Sequence, residues 1–324
     1  MLGEYMAMNR VLVTGASGFV GSALVSRLKN EPGIDVVPAV RETRDASCLE
    51  LGDLEEQRFT ASQLQGFSSI VHAAARVHVM RDRASDPLVE FRRINTAATL
   101  ALAEAAAKAG VRRFIFISSV KVNGETTRMG APFSADDLPD PQDPYAISKL
   151  EAEQGLFELA QRTGLEVVVV RPPLVYGPGV RANFQNMMRW LRLGVPLPLG
   201  GVENRRSLVA LDNLVDLLVC CLEHPAAVGQ IFLVSDGKDL STTELLTQLG
   251  AALGRSPRLW GWTGPVLKSL LLLMNQDALV RRLFASLQVD ISKTRTLLDW
   301  NPPVDTYRAL TQTAEHFLRQ REQI

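Results

Sequence analysis

The sequence predicts an α/β fold: a doubly wound parallel sheet with a smaller, mostly helical C-terminal unit. Three observations carry that expectation. Strand-length apolar runs recur through the first half of the chain, near-continuous and not alternating, as strands buried on both sheet faces must be. Helical stretches separate them, and strand alternating with helix implies parallel pairing through crossovers. A glycine-rich turn, "TGASGFVG", follows directly on the first run.

The elements follow in chain order. "RVLVTGA" (10–16) ends in glycine and small residues, and "SALVSRLKN" behind it has helical spacing. Further buried strands are expected at 35–40 ("DVVPAV"), 69–74 ("SIVHAA"), 112–119 ("RRFIFISS") and 165–173 ("LEVVVVRPP"). Helices are expected between them at 95–110 and 146–164. After residue 173 the texture changes. "YGPG", "GVPLPLGG" and "NPPV" mark loops between helices at 183–193, 212–223 and 242–253. "QIFLVSD" (230–236) reads as one more strand, at or beside the sheet. The expected division is a core at 1–174 and a substrate unit at 175–324, partly interleaved with it.

Composition narrows the class. Of 324 residues, 46 % are hydrophobic, enough for a sizeable core. Thirty-five basic residues balance 35 acidic ones, which argues against a general nucleic-acid binder. The three cysteines, Cys48, Cys220 and Cys221, have no metal-ligand spacing, so no metal is expected; such a sparse set suits a reducing compartment. Cys220 and Cys221 are expected to be buried in a helix. "MLGEYMAMNR" is too short and polar for a signal peptide. The most apolar run, "VLKSLLLLM" (266–274), is well below the roughly 18 residues of a membrane span. It is expected to pack on the second unit or at a partner surface. A soluble, cytoplasmic protein is expected.

The glycine turn is the first motif with chemistry. Gly15, Gly18 and Gly21 stand at GxxGxxG spacing between a strand and a helix. That context permits a tight turn, close approach to a pyrophosphate, and helix–strand packing, as in a Rossmann-like dinucleotide site. Ser17, Gly18, Phe19 and Val20 open the helix whose N–H groups would take the phosphate charge. At the end of the second strand stand Arg41 and, nearby, Arg44, where an acid would bind the ribose of NAD; Asp35 lies at the strand's wrong end. An arginine there suits the 2′-phosphate of NADP, so NADP(H) is expected over NAD(H). Asp53, followed by Leu54, could accept from the adenine amino group or cap a turn. Ala73, Ala74 and Ala75 would let a flat cofactor lie close, and His72 reads as a structural histidine.

The second motif is "QDPYAISKLEAEQ" (142–154). Tyr145 and Lys149, four apart on one helix, lie on the same face about 6 Å apart. Pro144 suits the first turn. Ser118 and Ser119 end the strand at 112–119, on the side where ligands of open α/β sheets bind. With no GxSxG elbow, serine, tyrosine and lysine downstream of a nucleotide fingerprint form an acid–base set.

Together these segments resemble the extended short-chain dehydrogenase/reductase family, in its nucleotide-sugar branch. The resemblance runs nearly the whole chain, through "TGASGFVG", "HAAA", "SSVKVNGE", "YAISK", "RPPLVYGPG", "RSLVALDNLVDLL" and "LLDWNPPV". It implies Tyr145 as catalytic acid/base and Lys149 as a ribose contact that lowers the tyrosine pKa. It further implies Ser119 at the reacting oxygen, Pro172 at the cofactor, and Asn95 as a structural asparagine opening its helix. It also implies a UDP-sugar site: Arg206 at the diphosphate, Asn183 at the sugar nucleotide, Arg281 or Arg282 at a second phosphate, with Ser118 and Lys121 beside Ser119. A homodimer through the alanine-rich helix and the Tyr145 helix is expected with them.

Departures from the family pattern narrow the branch. Val120-Lys121 replaces the Asp-Glu pair of the dehydratases, and Arg41 replaces the epimerases' acid. The likeness is then greatest to bacterial reductases of UDP-4-keto-6-deoxy-N-acetylhexosamines in O-antigen precursor synthesis. A UDP-hexose 4-epimerase is the alternative. Outside that branch stand a small aryl-ketone reductase and, in another class, a non-catalytic nucleotide-sensing scaffold, disfavoured because Ser119, Tyr145 and Lys149 are all retained.

Overall fold

The computed structural model describes residues 9–43, 45–77, 86–261, 264–274 and 276–322. Its centre is a seven-stranded parallel sheet. The strands are β1 (Asn9–Thr14), β2 (Ile34–Val40), β3 (Leu49–Glu50), β4 (Ser69–His72), β5 (Arg113–Ile117), β6 (Glu166–Arg171) and, after two further strands described below, β9 (Ile231–Leu233). Their spatial order is β3-β2-β1-β4-β5-β6-β9. From β1 the chain winds outward one way to β3, then returns through β4 and winds the other way. The order therefore reverses between β1 and β4, and the crevice outside their carboxyl ends is where such sheets bind ligands.

Helices cover both faces. On one, α1 (Phe19–Leu28) and α6 (Leu211–Glu223) bury Leu24, Leu28, Leu214, Leu217 and Leu218 against Val11, Val71, Ile115 and Val168. On the other, α3 (Ala98–Lys108) and α4 (Pro144–Thr163) bury Leu102, Ala106, Ala152 and Leu156 against Leu12, Ile70, Phe114 and Val167. Each fully buried leucine contributes about 1.5–3 kcal/mol relative to exposure. Adjacent strand residues thus feed opposite cores, which is why the runs read as continuous. Cys221 on α6 is fully buried, whereas Cys220 is only half-buried.

Beyond residue 174, β9, α6 and α10 (Ser292–Leu298) join this core, α10 through Leu298 with Ile291 and Trp300 at its ends. Most of the remaining C-terminal chain forms a second cluster. It contains β7 (Leu174–Tyr176) and β8 (Leu208–Ala210), paired in parallel, with α5 (Ala182–Leu193), α7 (Thr242–Ala252), α8 (Gly264–Leu273), α9 (Asp277–Phe284) and α11 (Thr306–Glu322). Phe184, Met188, Leu246, Leu249, Leu310 and Phe317 fill it, and Tyr176 stacks on Phe184. No described helix is long and apolar enough to cross a membrane.

One helix differs from expectation in a way that reaches the site. The helical run predicted to open at Asn95 begins earlier, with α2 (Pro87–Phe91), capped by the Asp86 carboxylate on the N–H groups of Leu88 and Val89. It continues through a π-helical turn, Arg92–Ala97, into α3. Asn95 lies inside that wider turn, donating to the Arg76 carbonyl and the Ser148 hydroxyl and accepting from the Arg76 N–H. Single π-turns of this kind often mark functional segments.

Candidate active site

The floor of the site is the glycine turn after β1. Gly15 has φ +67°, and a Cβ there would come within 2.7–2.9 Å of the Ala73–Ala74 backbone. A Cβ on Gly21 would stand 2.1 Å from the Gly15 carbonyl oxygen. The two strand-end loops, 15–18 and 73–75, therefore touch backbone to backbone, with small residues on both. At the start of α1, Gly18 supplies no side-chain cap and the first turn holds no acid. The dipole end of α1 thus faces the crevice unneutralised, and a pyrophosphate fits it by charge and by room.

His72 is held beneath this floor. Thr99 donates to the Asn95 carbonyl at 2.7 Å, so its oxygen accepts from His72 Nε2 at 3.0 Å. That leaves His72 Nδ1 to accept from Thr14 at 2.7 Å, while Thr14 accepts the Ala74 N–H at 3.3 Å. Burial, aided by Lys149, pulls its pKa down to about 3, so the ring is neutral. It is a satisfied structural histidine.

The acid–base set gathers where β5 ends against α4. Asp143 caps α4 through the Ala146 N–H at 2.7 Å, Pro144 takes the first turn, and Gly164 closes the helix at φ 77°. Tyr145 and Lys149 follow one turn apart. The Ser119 side chain acts on Tyr145 in the direction that favours its ionised form, and its oxygen accepts the Lys121 N–H at 3.2 Å, capping the 3-10 turn Val120–Val122. Phe91 meets the tyrosine ring edge-on at 6.0 Å between centroids. Lys149 Nζ donates to the Ile117 carbonyl at 2.8 Å and lies 4.3 Å from the Phe116 ring centroid.

The electrostatics of the pair are governed by burial. Burial, and then the Asp143 carboxylate, push Tyr145 up to about 12, although the Ser119 side chain opposes them. Burial pulls Lys149 down to about 7, with Glu153 raising it only in part. Burial dominates, and Tyr145 is a protonated acid at neutral pH.

The other expected residues divide. Ser118, expected beside the substrate, is buried and donates to Glu153. Glu153 also pairs with Arg171, whose guanidinium reaches Asn123 Oδ1 at 3.0 Å. Its hydroxyl is thereby committed to a buried network that joins α4, β6 and the 120–123 turn. Pro172 accepts the Val120 N–H at 3.0 Å, holding that turn to β6. Lys121 pairs with Asp143 and lies 3.8 Å from Glu125, which in turn pairs with Arg281 at 3.1 Å.

Asp53 caps the 3-10 turn Leu54–Glu56 through the Glu55 N–H at 3.0 Å. Arg41 is exposed just past β2, beside Glu42; Arg44 lies outside the described residues. Asn183 is exposed in the first turn of α5, and Arg206 bridges Leu240 and Leu287 on the approach to β8. The Arg282 side chain lies outside the described residues. Sequence reasoning missed Phe91, Glu153 and Arg171. Glu153, four residues past Lys149, carried a helical-spacing signal that could have revealed it. No group that could hold a metal ion is present among the described residues.

Comparison with known proteins places this geometry. The NAD dependent epimerase/dehydratase family matches residues 11–235. A UDP-glucose 4-epimerase of Vibrio cholerae is 44 % identical over 323 residues, covering 98 % of both chains. A UDP-glucose 4-epimerase of Mycolicibacterium smegmatis is 31 % identical, covering 95 % of this chain and 98 % of its own. In fold, the chain is similar to UDP-glucuronic acid 4-epimerase from Bacillus cereus in complex with NAD, at TM-score 0.77 and 21 % identity, covering 96 % and 99 %. All three are named epimerases, where the sequence pointed first to a reductase. Arg41 and Val120-Lys121 bear on cofactor and dehydration, and neither reports where the hydride ends. The chain belongs to the NAD-dependent epimerase/dehydratase family and is an NAD-dependent enzyme.

Proposed function

We propose that the protein is a UDP-hexose 4-epimerase, inverting C4 of a UDP-linked sugar. The observation that carries this is the full-length likeness to the Vibrio cholerae enzyme, and the Ser119–Tyr145–Lys149 cluster agrees with it. A nicotinamide bound in the crevice would supply the reversible hydride acceptor that inversion at C4 requires. The residues supply the rest. Tyr145 exchanges the C4 hydroxyl proton, Ser119 fixes that oxygen, and Lys149 orients the ribose while its ammonium favours the tyrosinate. The glycine turn, with Ala73, Ala74 and Ala75, seats the dinucleotide; Asp53 and Leu54 flank its adenine, and Pro172 borders the nicotinamide.

For the sugar nucleotide, Arg206 is assigned to the diphosphate, where a guanidinium fork suits paired anionic oxygens. Asn183, Lys121 and Arg282 are assigned to the same ligand. Lys121 would exchange its Asp143 partner for it. Elimination of water is disfavoured, because Val120 and Lys121 offer no carboxylate for proton removal.

A second reading, reduction of a UDP-linked 4-keto-6-deoxy-N-acetylhexosamine, rests on Arg41, since NADP(H) suits a reductant that leaves after turnover. The preference for NADP(H) is tested by Arg41→Asp, which is expected to shift binding toward NAD(H). An unchanged ratio removes Arg41 from that role. The two reactions separate by stoichiometry. With UDP-galactose and a trace of cofactor, the epimerase is expected to reach the UDP-glucose equilibrium with no net change in cofactor oxidation state. Failure there, with one NADPH consumed per keto sugar, would establish the reductase.

A further inference from the structure

Among the described residues, a run of exposed apolar side chains lies on α8, apart from the active site. Helix α8 packs inward through Leu271 and, partly, Leu267. Outward it presents Val266, Leu270 and Leu273, at i, i+4 and i+7, exposed by 63, 51 and 81 %. Leu272, Met274 and, just upstream, Trp260 are exposed beside them. An apolar stripe of this kind on a folded chain marks a contact surface. The charge of the stretch of sequence that holds it is one-sided. Residues 255–282 contain Arg255, Arg258, Lys268, Arg281 and Arg282 against a single acid, Asp277, in a chain that is neutral overall. Arg255, Arg258 and Lys268 are exposed, and Arg281 is already paired with Glu125.

We propose that the outward face of α8 docks on an anionic lipid surface. Ten residues of helix extend only about 15 Å, half the hydrocarbon thickness, so α8 would lie in the interface and not span it. Apolar side chains on one face, flanked by lysine and arginine, suit the headgroup boundary of a negatively charged bilayer. A second copy of the chain fits less well. A two-fold contact sets each patch against itself, and these basic residues would then face their own like charges. The Arg281–Glu125 pair, next to Lys121, places α9, the helix after α8, beside the segment that follows Ser119. The docking does not depend on which sugar the site takes.

Sedimentation with vesicles tests it, using the full-length protein. Wild type is expected to co-sediment with phosphatidylcholine vesicles containing one quarter phosphatidylglycerol, and much less with pure phosphatidylcholine or at high salt. Leu270→Asp combined with Leu273→Asp, both at exposed positions, should weaken partition at least about tenfold while circular dichroism is unchanged. Lys268→Glu should reduce only the dependence on phosphatidylglycerol. Wild type remaining in the supernatant with both vesicles would overturn the proposal, as would a double variant that sediments like wild type. A double variant that lowers the oligomeric state without vesicles would make the face a self-association surface instead.

Discussion

Tyr145 and Lys149 start on the wrong sides of their task. Burial holds the phenol at about 12 and the amine at about 7, so at neutral pH the tyrosine is protonated and the lysine only partly charged. Tyr145→Phe removes the hydroxyl while keeping the ring against Phe91. Turnover is expected to fall about 10²–10⁴-fold with cofactor affinity nearly unchanged, measured by single-turnover kinetics and by titration. A wild-type rate would place the acid elsewhere. His72 gives a pH signature of stability. Its pKa is about 3 when folded and 6.5 when unfolded, so the unfolded chain takes up its proton first as the solution is acidified. The stability it contributes is present above pH 6.5 and is lost toward pH 3, about 5 kcal/mol in all. In urea unfolding, the advantage of wild type over His72→Gln is expected to shrink across that window. A constant gap would show that His72 does not titrate. Tyr145, Lys149 and Ser119 were legible in the sequence because their spacing and strand-end position are local. The diversion of Ser118 was not, because its partner Glu153 lies 35 residues away and only the packing of α4 on β5 brings them together.

At the scale of elements, the strands and main helices were legible because burial on both faces leaves continuous runs and helices leave caps. Asp143-Pro144 at one end of α4 and Gly164 at the other bound it within two residues of expectation. The π-turn at Arg92–Ala97 was not legible. Nothing in "RRINTA" announces that Asn95 will bond a loop at Arg76 and a serine on α4, and those bonds hold the wider turn. The small strands β7 and β8, three residues each, carry too little pattern to be read alone. Helices α3 and α4 pack closely at Gly155, where a Cβ would press within 2.7 Å of the Leu100 side chain. Their remaining faces are proposed to meet the same pair in a second copy as a four-helix bundle. Sedimentation equilibrium at micromolar concentration is expected to give a dimer, and monomer alone would contradict it.

For the whole molecule, the topology does most to fix the site. Reversal of strand order between β1 and β4 brings the glycine turn and the 73–75 alanines to one crevice, and β5 delivers Ser119 beside them. That much followed from the alternation of strand and helix. The direction of the chemistry did not, because a protonated tyrosine acid serves reduction and epimerisation alike; the epimerase reading is proposed on full-length similarity. The central claim is that the hydride removed from C4 returns to the same carbon. Deuterium at C4 of UDP-galactose tests this most directly, with the product analysed by mass and by proton resonance. The account predicts UDP-glucose that keeps its deuterium at C4, with no net oxidation or reduction of the nicotinamide. Unchanged UDP-galactose, or UDP-glucose whose deuterium has been lost, would contradict it.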